Sequence, residues 1–218
     1  MNELSLRTLE SRSWKARQQD GLLDIYLGAL MLAISISALT EALGAAPSFR
    51  LISLIVLQCS AGSGFVLARR HVATPRIGVV KFGADRAQRS RLLRVTLFAC
   101  VLVTATLVAL TAVGRSPLGI FRGLGNYALP TLVSLVVGIP LTAIAVSLQF
   151  PRILVHTALF AAATFSLAAS GHGFMDPTAG AIAFGASGAI STAIGAAIFG
   201  RFVRRVPCHP MEATADDR

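Results

Sequence analysis

Charge is scarce in this chain. Only 14% of its 218 residues are charged, against about 25% in a soluble domain, while 54% are hydrophobic and the mean hydropathy is +0.69. Cysteine is scarce as well. Of the three, Cys59 and Cys100 fall inside apolar runs and Cys208 in the polar C-terminal stretch, which excludes a disulfide framework. No GxxxxGK[ST] segment, and no GxGxxG after a strand, is present, so nucleotide hydrolysis has no support. The four histidines, His71, His156, His172 and His209, are scattered and form no HExxH-type motif. No cofactor is expected. The first apolar run follows a polar, mixed-charge stretch and lacks a small-residue cleavage site, so it is expected to be retained as a span.

What the chain has instead is six apolar stretches, at about 21–40, 51–68, 95–113, 128–149, 153–170 and 179–200. Each is long enough to cross a hydrocarbon core of ~30 Å as a helix. Together they use most of the chain, leaving no room for a second globular domain. The expected class is therefore an all-α membrane protein, a bundle of six transmembrane helices with an N-terminal interfacial helix. Residues 1–19 form the interfacial segment, 20–202 the membrane domain with a basic loop at 69–94, and 203–218 a cytoplasmic tail expected to be disordered.

The basic residues orient this arrangement. With the N-terminus inside, four precede the first span, eight lie between Arg69 and Arg94, one is Arg152, and four follow the last span, which is seventeen of the twenty. Only Arg50, Arg115 and Arg122 fall outside. This is the positive-inside bias, with both termini cytoplasmic. The net charge of +10 is thus read as attraction to anionic headgroups rather than to nucleic acid.

Several residues stand out against this frame. Asp20 and Asp24 open the first span on one helix face, and a carboxylate inside a membrane needs a partner or water. Arg76 and Lys81, in the basic loop on the same side, are the expected partners, so Asp20, Asp24, Arg76 and Lys81 form a candidate polar cluster. His156, one turn beyond Arg152, is expected to be an interhelical hydrogen-bond partner. Pro75-Arg76 is expected to break any helix, with Ile77, Val79, Val80 and Phe82 extended around Gly78. Gly138 and Pro140 suggest a kink in the fourth span.

The sixth span carries small residues every four positions: Ala181, Gly185, Ala189, Ala193 and Ala197, with a second ridge at Gly188, Thr192, Ala196 and Gly200. Such surfaces let helix backbones approach closely. Gly185, Gly188, Ala189, Thr192 and Ala193 are the candidate packing residues, at the bundle centre or at a seam with a second copy or another membrane partner. The string Gly185-Ala186-Ser187-Gly188 resembles the GxSG signature of rhomboid intramembrane proteases. That resemblance would make Ser187 a nucleophile, but no membrane histidine follows it and no HxxxN segment is present. His172 and Asp176, in the last external loop, could share a metal or a proton, although two ligands make a weak metal signal.

Two segments, DGLLDIYLGALML and TPRIGVVKFG, resemble a family of uncharacterised bacterial multi-pass membrane proteins. The shared residues are Asp20, Gly21, Leu22 and Asp24, then Pro75, Arg76, Gly78, Val80 and Phe82, with Val79 departing from the family's aromatic. The resemblance implies a helical bundle in a bacterial inner membrane and no activity. Three functional classes follow, in order: a non-enzymatic assembly or accessory protein, a small-solute or ion permease with Asp24 in its pathway, and an intramembrane serine protease using Ser187.

Overall fold

The computed structural model describes residues 20–77, 98, 123–148, 150–171 and 176–206. They are overwhelmingly helical, and five helices are long and apolar enough to cross a membrane, as a multi-pass membrane protein requires. The elements are α1 (Leu22–Ala42), α2 (Pro47–Ala68), a π-helical turn (Arg69–Ala73), the short α3 (Thr74–Ile77), α4 (Ala128–Leu148), α5 (Arg152–Ala169) and α6 (Pro177–Arg205). Five of the six expected spans thus fall on helices. Of the third, at 95–113, only Phe98 is described. Residues 1–19, Lys81, His172 and the tail beyond 206 also lie outside the described residues.

Helix boundaries follow local chemistry. Asp176 caps α6, its Oδ1 accepting from the backbone N–H of Thr178 at 2.9 Å and Ala179 at 3.2 Å. Pro177 occupies the first helical position, where its missing N–H costs nothing. Pro47 starts α2 in the same way. The α4 helix continues through Pro140.

The segment after α2 corrects an expectation. Pro75 does not break the helix but lies within α3, immediately after the π-helical turn. In that turn the Thr74 N–H reaches back to the Arg69 carbonyl, and the Thr74 hydroxyl donates to the same oxygen at 2.8 Å. A proline ring clashes with the carbonyl four residues before it. A π-turn widens the coil at that place and lets the helix run on to Ile77.

Successive contacts fix the helix directions. Tyr26 lies against Phe65 with ring centroids 5.3 Å apart, and Glu41 pairs with Arg50 near the turn, so α1 and α2 are antiparallel. Ser35 donates to the Ala181 carbonyl at 2.6 Å, while an added Cβ on Gly195 would lie 2.6 Å from the Ile25 nitrogen, so α1 and α6 are antiparallel. Ser134 bonds Thr164 at 2.8 Å and Gly138 faces Thr157, so α4 and α5 are antiparallel. Phe160 lies on Phe184 and Leu159 accepts from Ser187 at 3.4 Å, so α5 and α6 are antiparallel too. Asp20, Ile77, Arg152 and Arg205 therefore share one end of the bundle, and Gly123 lies at the other.

The α1–α6 seam is the tightest contact. A Cβ on Gly188 would sit 2.9 Å from the Leu32 backbone nitrogen, one on Gly28 would sit 2.6 Å from the Thr192 nitrogen, and one on Gly185 would meet the Ser35 Oγ at 2.8 Å. Gly21, with φ of 75°, also brings its Cα to within the reach of α6: a Cβ there would lie 2.6 Å from the Gly195 carbonyl oxygen. Only glycine takes both the left-handed conformation and the close approach. Of the expected packing residues, Gly185, Gly188 and Thr192 lie in this seam. Ala189 and Ala193 are exposed and do not belong to this seam. The seam residues Gly185, Gly188, Thr192 and Gly195 alternate steps of three and four, the period of a left-handed helix pair, whereas a strict four-residue ridge drifts off the contact.

Candidate functional site: a buried Asp–His–Ser clasp

Three helices converge near the Asp20 end. Asp24 lies in the first turn of α1, His156 in the second turn of α5, and Ser191 in the middle of α6. His156 Nε2 lies 2.7 Å from Asp24 Oδ1, and His156 Nδ1 lies 2.8 Å from Ser191 Oγ. Their exposures are 1% for Asp24, 2% for His156 and 0% for Ser191. Such burial of ionisable groups costs free energy unless they are paired and hydrogen-bonded. The imidazole supplies that pairing for both neighbours. The positive end of the α1 dipole further favours a carboxylate at position 24.

The imidazole can work in two states. Neutral, it donates from Nε2 to Asp24 and accepts the Ser191 hydroxyl proton at Nδ1. Protonated, it donates from both nitrogens, and Ser191 becomes an acceptor. A single proton thus reverses the bond to α6 without moving a heavy atom.

Charge surrounds the clasp on one side. Arg152 Nη1 stands 3.9 Å from Asp24 Oδ2, with 42% of the arginine side chain exposed. Asp20 is buried, and its Oδ1 accepts from the Leu22 N–H at 3.1 Å. Burial raises the Asp20 pKa above its ordinary value, opposed by the Leu22 bond and the Arg69 charge and reinforced by Asp24.

The structure places the expected cluster differently from the sequence reading. Asp20 and Asp24 are together, but Arg76 is not an ion-pair partner of either among the described residues. Its Nη1 instead donates to the Val72 carbonyl at 2.9 Å, one turn back. Asp24 is partnered by His156 and Arg152. His156 is the interhelical partner expected of it, while Ser191 and Arg152 were not foreseen. One signal in the sequence points to the pairing of His156 with Asp24. His156 is the only histidine within an apolar run, and the basic-residue topology puts it within about a turn of the same face as Asp24.

The chemistry this arrangement allows is narrow. Asp, His and Ser in mutual contact also make up hydrolase triads. Here the serine is fully buried within a helix, where backbone N–H groups are already bonded to carbonyls one turn back and cannot form an oxyanion hole. Ser187, the serine singled out by the sequence, bonds the Leu159 carbonyl and has no histidine partner among the described residues. Among the described residues, no group of three His, Cys, Asp or Glu side chains gathers as a metal site would need. Asp176 serves as the α6 cap. No known protein family, curated protein or solved structure matches the chain.

Proposed function

We propose that the protein is a small proton-linked permease of a bacterial inner membrane, with the Asp24–His156 pair as its proton site. The carrying observation is the 2.7 Å bond between an acid and a base that are both buried at the core of an apolar bundle. Ionisable residues in that position mark ion paths and proton relays more often than they mark simple packing. The proton is favoured over a metal cation for two reasons. Asp24 Oδ1 is already held by His156, leaving one carboxylate oxygen where a metal ion needs several. Arg152 stands beside that oxygen and repels a second cation.

The reading includes six crossings with the Asp24 end in the cytoplasm. The chain leaves the described helices at Ile77 on the Asp24 end and returns at Gly123 on the other, which supports reading the apolar run at 95–113 as the sixth crossing. Of the eight described basic residues, seven (Arg69, Arg70, Arg76, Arg152, Arg201, Arg204, Arg205) belong to the Asp24 end and only Arg50 to the other, which supports a cytoplasmic face held on anionic headgroups. Single cysteines at Ala87 and Ser116, in a chain lacking its own cysteines, test the orientation. An impermeant thiol reagent on intact cells is expected to label position 116 and not 87.

The proton site is tested in proteoliposomes with a trapped pH dye and an imposed membrane potential. Wild type is expected to move protons faster than empty vesicles. Asp24→Asn and His156→Gln, checked for folding by gel filtration, are expected to fall to the empty-vesicle rate. Equal flux in all three proteins would falsify the proposal and leave the clasp as a structural device. The assembly reading would then stand, and one observation favours it. Ala189, Ala193 and Ala197 on α6 face away from the α1 seam and are exposed, a surface on which a second copy or a membrane partner could pack.

A further inference from the structure

The buried polar residues of the described structure are not scattered. They are Asp20, Asp24, His156, Thr164, Ser187 and Ser191, and the helix directions place them along one line through the bundle. On α5 the stripe His156, Phe160, Thr164 steps by one turn at a time, so the three lie one above another, roughly 6 Å apart in height. On α6 the matching stripe is Ser191, Ser187, Phe184. The levels correspond. His156 bonds Ser191, Ser187 bonds the Leu159 carbonyl, Phe160 packs on Phe184 with centroids 5.5 Å apart, and Thr164 bonds Ser134 of α4 at 2.8 Å.

The polar line is therefore cut once. Asp24, His156, Ser191 and Ser187 lie below the cut, and Thr164 with Ser134 lies above it. The cut is the Phe160–Phe184 pair, both rings buried in one apolar cluster with Met31 from α1. Resting on the proton-site reading above, we infer that the Phe160–Phe184 pair is the gate of the pathway, closed in this structure, and that the proton site is served from the Asp24 end alone. A constriction lined by apolar side chains excludes water by dewetting, and a proton cannot cross it without a chain of hydrogen-bonding groups. Three helices meet at the plug, so a small shift of α5 against α6 would part the rings and join Ser187 to Thr164.

Proton flux in proteoliposomes tests the gate with four proteins: wild type, Phe160→Ala, Asp24→Asn and the double variant. Phe160→Ala is expected to raise flux by about tenfold or more, and the double variant is expected to lose that gain. Flux in Phe160→Ala equal to wild type, with Asp24→Asn still lowering it, overturns the gate and leaves the proton site standing. High flux retained in the double variant confirms a barrier at Phe160 but overturns Asp24 as the site. If Phe160→Ala does not elute as a folded species, Phe184→Ser takes its place with the same two outcomes. Phe184→Leu, which keeps an apolar plug, is expected to stay at the wild-type rate, and a rise there would overturn dewetting as the mechanism.

Discussion

The two partners of α1 are held in opposite ways. Against α6, α1 presents Gly21, Gly28 and Ser35, and backbones come close enough that any added carbon would collide. Against α2 it presents Tyr26 to Phe65, and no residue of α2 is buried. Gly62 and Gly64 of α2 have open space where a Cβ would go. Glycine therefore means two different things in one bundle. On α6 it permits contact that no other residue allows. On α2 it leaves surface free among the described residues. The difference teaches that α1 and α6 form the rigid spine of the molecule, and that the clasp was built on the spine.

The largest expected effect comes from forcing the seam open. Gly195→Val places carbon against the Ile25 backbone nitrogen and the Asp24 carbonyl carbon, where nothing flexible can give way. It is expected to destabilise the protein by about 3 kcal/mol or more, read as a lowered Tm or loss of the monodisperse peak in detergent. Gly185→Leu meets only the Ser35 side chain first and is expected to cost less, about 1–2 kcal/mol.

Next in size is the clasp. His156→Phe leaves Asp24 Oδ1 without its donor and is expected to cost about 2 kcal/mol. A double-mutant cycle of His156→Gln with Asp24→Asn is expected to show a coupling of about 1–2 kcal/mol, at the upper end for membrane hydrogen bonds. The same cycle with Arg76→Ala is expected to be additive within about 0.5 kcal/mol, because Arg76 is occupied by Val72. Strong coupling of Arg76 to Asp24 would show that the wrong partner has been assigned.

At the open extreme, where nothing lies within 4 Å of an added Cβ, Gly62→Leu is expected to change stability by no more than about 0.5 kcal/mol. A collapse there equal to that of Gly195→Val would erase the distinction between the two faces of α1. The smallest effect is a pH slope. Asp20 holds its proton more tightly folded than unfolded, so its contribution is full below the ordinary value of 3.8 and is lost as pH rises through the raised folded value. Asp20→Asn is expected to flatten that slope in a melting series over pH.

The spans were legible because each is a long apolar run with polar punctuation, and the described helices begin and end within a few residues of the expected limits. The seam was half legible. Small residues announced close packing, but two stripes of them share α6, and only the partner decides which one is used. The heptad spacing of Gly21 with Gly28, matched by Gly188 with Gly195, carried that information. The clasp was the least legible part. Formal charge pointed Asp24 toward Arg76, whereas Arg76 sits beyond the π-helical turn, its Nη1 donating to the Val72 carbonyl of its own helix. A histidine 132 residues away gave no local sign, and only equal depth in the membrane linked the two.

That separation bears on how the protein is made. Asp24 enters the membrane with the first helix, and His156 and Ser191 are synthesised far later. At ribosomal speeds of about 5–20 residues per second, the carboxyl group waits on the order of 10 s for its imidazole. During that time the first helix has neither its polar partner nor its spine, so it must stay near the headgroups or be sheltered by the insertion machinery. The bundle closes only when its last helix docks on its first. A chain that stops short of α5 is then left with an unmatched acid in its first segment, a mark by which a cell's membrane quality control can tell an unfinished molecule from a finished one.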